Sequence, residues 1–150
     1  MQNKIHSLLL RKLIFFGAAL LPLALPAQDF VSHSRADIIA ATLILEAAGE
    51  GRVGMEAVRE VIANRAKNKT EIAVCLAPKQ FSCWNGMPIH KGIDKARKDP
   101  QWSLAHKIAS SKPTTNHTRG ATHFHTTKVS PYWAKKLQKI TTIKNHIFYK

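Results

Sequence analysis

Acidic residues are scarce in this 150-residue chain: nine Asp and Glu stand against 23 Lys and Arg, a formal charge of +14. Chemistry that divides its work between paired carboxylates therefore has few residues to draw on. Cysteine is nearly absent, and the spacing of Cys75 and Cys83 matches none of the usual Cys-pair zinc patterns. No internal repeat or low-complexity segment interrupts the chain. The uncharged run from Leu13 to Ala27 falls short of the roughly 20 residues that span a bilayer, and Pro22 and Pro26 break it near its end.

That run follows Lys4, Arg11 and Lys12 and ends in Leu25-Pro26-Ala27. A basic start, an apolar centre and a small residue at the end predict a secretory signal peptide over residues 1–27, the alternative being an uncleaved membrane anchor. Residues 28–150 then form one domain, with 20 basic residues against nine acidic, near +11. Such a charge calls for an anionic partner. For an exported monomer in the periplasm, the cell wall or the extracellular space, that partner is the cell envelope and not nucleic acid. The same export predicts that Cys75 and Cys83 pair. Their disulfide would close a loop of about nine residues, worth roughly 2.5 kcal/mol on the chain-entropy model.

Helices are expected first and strands last, an α+β class. Ser34 and Asp37 read as a capping box for a helix running to Ala48, with Gly49 ready to end it. A second helix is expected from about Val53 to Ala66, with Ala57, Val58, Val61 and Ile62 inward and Arg59 and Glu60 outward. Thr70 caps a short helix to about Leu76, and Gly86 to Lys98 reads as polar and turn-rich. Asp99-Pro100 starts a helix through Ser110. Residues 121–127 alternate as a strand that puts His123 and His125 on one face, and Ile140–Ile143 and His146–Tyr149 form a hairpin turning at Lys144-Asn145, where Asn accepts the left-handed backbone.

The first helix ends in Leu45-Glu46-Ala47-Ala48-Gly49-Glu50-Gly51. A carboxylate in a last turn opposes the negative end of the helix macrodipole at a cost of roughly 0.3–1 kcal/mol, and Ile39 and Leu43 on the same face add an apolar surround. A function explains such a placement, because a protonated carboxyl is a general acid.

Glu46-Ala47-Ala48-Gly49-Glu50-Gly51, Ala57-Val58, Asn64-Arg65, Gln80-Phe81-Ser82-Cys83-Trp84-Asn85, Ala121-Thr122-His123-Phe124-His125, Pro131-Tyr132-Trp133-Ala134 and His146-Ile147-Phe148-Tyr149 stand in one order. In order and spacing this set resembles the cell wall hydrolases of the spore-cortex-lytic, SleB-like family. The resemblance covers about residues 36–149. It implies an α+β fold with a lysozyme-like helical core and a small antiparallel hairpin region at the C-terminal end. It also implies cleavage of peptidoglycan glycan strands, as lytic transglycosylase or muramidase, with no cofactor and no metal. Glu46 falls on the family's catalytic glutamate, with Glu50 a secondary candidate one turn on. Phe81, Trp84, Tyr132 and Trp133 offer faces to sugar rings, and Gln80, Ser82 and Asn85 offer hydrogen bonds. His123 and His125 fall on a cleft-lining strand.

Two other readings stand beside this one. His123 and His125, with His117 or His146 and a carboxylate, would suit a zinc-dependent N-acetylmuramoyl-L-alanine amidase. The basic charge alone would suit a non-catalytic cationic wall-binding module.

Overall fold

Ser34 starts the helical body. In the computed structural model, which describes residues 33–150, its hydroxyl accepts from the Asp37 N–H at 3.1 Å, and the Asp37 carboxylate accepts from the Ser34 N–H at 3.1 Å. This reciprocal box satisfies two otherwise unpaired donors and opens helix α1, Arg35–Ala47. The predicted signal peptide, residues 1–27, lies outside the described residues. Ile39, Ala40, Ala41, Thr42 and Leu43 are all 0% exposed, so α1 is the central helix that its apolar circumference demands. A 3-10 turn over Ala48–Glu50 follows, and Gly51, at φ 65°, lets the chain reverse into α2, Gly51–Arg65. Helix α3, Glu71–Leu76, is capped by the Thr70 hydroxyl, which accepts from the Ala73 N–H at 3.1 Å.

Between Gly86 and Lys98, where turns are expected, the chain forms helix α4, Ile89–Arg97. Its apolar stripe is only Gly92, Ile93 and Ala96, all buried, and one member of that stripe is glycine because Trp84 occupies its Cβ position. A Cβ on Gly92 would lie 2.3 Å from Cζ3 of the Trp84 indole. Gly92→Ala is therefore expected to destabilise the protein by about 1–3 kcal/mol despite alanine's better helix propensity. Calorimetry should show a melting temperature lower by several degrees; an unchanged one would mean that the indole does not bear on this helix. Helix α5, Trp102–Ser110, starts later than expected. Asp99 forms a local turn instead, its Oδ1 accepting from the Gln101 N–H at 2.8 Å.

Helix α2 departs furthest from expectation. Arg59 and Glu60, expected outward, are 1% and 4% exposed. The helix is covered on both sides. Val58 and Ile62 join the α1 core, while Ala57 and Val61 pack on Ala121 and Phe148 in a second small core. Arg59 pairs with Glu71 at 2.7 Å and donates to the Ser111 carbonyl at 2.7 Å. Glu60 accepts from the Thr115 and Thr118 hydroxyls and from the His117 and Thr118 backbone N–H groups at 2.7–2.9 Å. Burial pushes the Glu60 pKa up, but these four bonds outweigh it and hold the carboxyl below its ordinary value.

The chain closes with strands β1, His123–Thr126, β2, Lys139–Ile143, and β3, His146–Tyr149. Both pairings are antiparallel and the order is β1-β3-β2. His123 faces Tyr149 and Thr126 faces His146 across β1 and β3; the β2 register shifts between Lys139 and Thr141. At the β2–β3 turn it is Lys144, at φ 48°, and not Asn145 that takes the left-handed backbone. Asn145 is thereby free to reach Glu50. The architecture is the α+β class expected: a helical core with a small antiparallel sheet.

Candidate active site

Glu46 stands in the last turn of α1, half-buried, one turn beyond Thr42 on the same face. Its Oε1 accepts from the Cys83 backbone N–H at 3.0 Å and from the Ser82 hydroxyl at 3.3 Å. Both of these bonds fall on Oε1. The two donors belong to a 3-10 turn, Ser82–Trp84, and Trp84 fastens that turn to α1, its indole N–H donating to the Thr42 hydroxyl at 3.0 Å. One helix face thus carries both the carboxylate and the anchor of the loop that orients it.

The carboxylate opens on a cleft of about 760 Å³, a size suited to a sugar-sized ligand. Its lining draws Leu45 and Glu46 from α1, Arg65 from α2, Gln80 and Ser82 from the aromatic loop, and His123, Phe124, His125, Tyr132, Trp133 and His146 from the C-terminal part of the domain. Glu46 is the one acidic residue among the described residues of this lining. Arg65 ties these parts together, donating to the Thr122 carbonyl at 2.5 Å and to the Gln80 carbonyl at 3.3 Å, with its guanidinium over the Phe81 ring. Desolvation lowers the Arg65 pKa, and the nearby Cys75 and Glu46 work against that shift. Arg65 appears in the sequence pattern only as part of Asn64-Arg65; its role depends on residues 57 and 15 positions away.

Around Trp133 the rings interlock. Trp133 lies 5.3 Å from His123, 5.6 Å from His125 and 5.6 Å from Tyr149 between ring centroids, and His125 stacks on Tyr149 at 5.2 Å. His125 Nδ1 lies 2.8 Å from the Thr126 carbonyl, which can only accept, so this nitrogen carries the proton. In the neutral ring, Nε2 then accepts from the Tyr149 hydroxyl at 2.9 Å. Tyr132 stands 74% exposed at the rim.

Residues 49–149 match the family model described as Cell Wall Hydrolase. The chain belongs to that family. The matched stretch starts beyond Glu46, so the position of Glu46 in the cleft is an observation of the structure itself. Two solved structures have this hydrolase's fold, each at 24% identity over 80% of the chain. One is the catalytic domain of the Bacillus cereus SleB protein, covered over 94% of its length with a TM-score of 0.56. The other is the catalytic domain of the germination-specific lytic transglycosylase SleB from Bacillus anthracis, covered over 98% with a TM-score of 0.60. No curated protein matches the chain.

Of the residues singled out in the sequence, the hydrolase gathers Glu46, Gln80, Ser82, His123, His125, Tyr132 and Trp133 around one cleft. Four others lie elsewhere. Phe81, 1% exposed, packs on Phe124 at 6.2 Å; Trp84 is spent on Thr42 and Gly92; Asn85 is exposed outside the lining. Glu50, the secondary candidate, is buried and accepts from the Asn145 N–H at 3.0 Å and side-chain amide at 3.2 Å. Burial pushes its pKa up, yet the two Asn145 bonds, helped by the Lys144 charge, hold it below the usual range. It ties the α1–α2 corner to the β2–β3 turn.

The predicted Cys75–Cys83 disulfide is not formed; both are free thiols. Burial pushes the Cys75 pKa up to about 11. Burial and then the Glu46 carboxylate push Cys83 further in the same direction.

The zinc reading also loses its ligands. His125 spends both ring nitrogens on the protein, and His117 pairs with Glu56 at 3.0 Å outside the cleft. Among the described residues no three His, Cys, Asp or Glu side chains are grouped to hold a metal.

Proposed function

We propose that this protein cleaves the glycan strand of peptidoglycan as a lytic transglycosylase, with Glu46 as its single acid and base. The observation that carries the reading is the lone carboxylate of the cleft lining. Hydrolysis by the ordinary routes uses two carboxyl groups on opposite sides of the bond, roughly 5–9.5 Å apart, and Glu50 is committed to Asn145. In the one-carboxylate route Glu46 gives its proton to the leaving glycosidic oxygen as the bond from the sugar C1 breaks. The 6-hydroxyl oxygen of the same sugar then bonds to C1, closing a 1,6-anhydro ring, and its proton returns to Glu46. Atoms and charge balance without water. The bonds from Cys83 and Ser82 hold Oε1 still and leave Oε2 to carry the travelling proton.

Membership of the cell wall hydrolase family and the fold shared with a lytic transglycosylase support the substrate class. The basic charge of the chain and its basic, apolar N-terminal segment support export to an anionic envelope. Purified protein incubated with sacculi, with and without chelator, tests the reaction by fragment mass. Anhydro-sugar ends unaffected by chelator are expected. New reducing ends would make the protein a muramidase, and freed peptides with intact glycan would overturn glycan cleavage.

A further inference from the structure

His146 has no part in the reaction just described, yet it lines the cleft with Glu46 while only 3% exposed. Its register opposite Thr126 on β1 sets it between aromatic rings, 5.2 Å from Phe124 and 6.3 Å from Phe148 by centroid. Nδ1 is enclosed with no hydrogen-bond partner, which leaves Nε2 as the ring nitrogen that can meet the cleft. A proton on Nδ1 would be an orphaned buried donor. On Nε2, the nitrogen not enclosed, the same proton escapes that penalty. The ring is therefore a neutral donor held beside an apolar wall, its N–H unclaimed by the protein. Burial, and then the carboxylates of Glu50 and Glu46 against it and His125 with it, leave its pKa below the ordinary value.

A donor flanked by a phenyl face complements an acetamido group, whose carbonyl accepts a hydrogen bond while its methyl needs apolar contact. We propose that His146 is a substrate-positioning residue that donates its Nε2–H to an N-acetyl carbonyl of the glycan, with the acetyl methyl against Phe124. Resting on glycan cleavage, the assignment adds a requirement for N-acetylation that Glu46 chemistry does not impose.

Nitrogen-15 NMR of the unliganded protein reads the tautomer without any turnover: Nε2 protonated and Nδ1 bare is expected, and the reverse pattern would overturn the proposal. Soluble glycan strands, N-acetylated or de-N-acetylated, then complete a cycle with His146→Leu and His146→Gln. His146→Leu should raise KM about tenfold with kcat little changed, and His146→Gln, which keeps a donor near Nε2, should recover most of that loss. Removing the acetyl groups should cost the wild type a similar factor and cost His146→Leu almost nothing further. Additive losses would refute the contact. An active protein whose KM ignores His146 defeats this assignment alone, whereas a protein that cleaves no glycan defeats the reading beneath it.

Discussion

Glu46→Gln is expected to lower turnover of glycan strands by about 100-fold or more while leaving fold and wall binding intact. Glutamine keeps the volume of the side chain, and its carbonyl oxygen can still accept from the Cys83 N–H and the Ser82 hydroxyl. The Ser82–Trp84 turn therefore stays in place. What is lost is the capacity to carry a proton, which an amide can neither deliver to a leaving oxygen nor recover from an attacking hydroxyl. The loss should appear in kcat, with sacculus adsorption unchanged. Glu50→Gln provides the contrast: its effect should fall on melting temperature, since Glu50 meets Asn145 and not the cleft. Near-normal cleavage by Glu46→Gln would sink the one-carboxylate mechanism.

The second large effect is one of stability. Glu60→Leu removes an acceptor shared by four donors, two of them backbone N–H groups. Thr118 is itself 0% exposed, so its donors find no water. Each orphaned buried donor costs about 1–3 kcal/mol, and with partial relaxation the variant should lose about 3 kcal/mol at neutral pH. Because the folded pKa of Glu60 lies below its ordinary value, its stabilisation is complete above the unfolded pKa, near 4.5. It is lost as pH falls through the folded pKa. The stability gap between wild type and variant, measured by urea denaturation, should therefore narrow toward pH 3. A constant gap would mean that the charge of Glu60 is not what the loop holds. The variant should also bind glycan less well. Glu60, Asn64 and Arg65 fix successive parts of the segment that feeds β1, the last two through the Ala121 and Thr122 carbonyls.

Features governed by near neighbours were legible in the sequence. The Ser34–Asp37 box, the apolar circumference of α1 and the shared face of His123 and His125 each depend on residues a few positions apart. Glu46 was legible for the same reason, as a charge placed against its own helix dipole. Arg59 and Glu60 were not. Their partners lie at Glu71, Ser111 and residues 115–118, and a charged pair on a helix looks solvated until a distant loop closes over it. Helix α4 was hidden by Gly92, which weakens the helical pattern because Trp84 needs the room. The aromatic loop showed that Trp84 matters, but only the hydroxyl of Thr42, buried in another helix, assigns it to packing. His146 and Tyr149 gained their places through strand register, which no local pattern of β3 reveals.

On the function proposed, the strand order delays the cutting site until β3 has been made. β3, the last of the three strands along the chain, lies in the middle of the sheet. Neither β1 nor β2 has a strand partner until it arrives. A nascent chain stopped before His146 would carry Glu46 on a finished α1 but would lack the strand that holds β1, with His123 and His125, in its sheet. Pairing across such separations forms late in folding, so assembly of the cutting site waits for synthesis of the domain's final strand. If Glu46 does the cutting, a growing chain is an unarmed one.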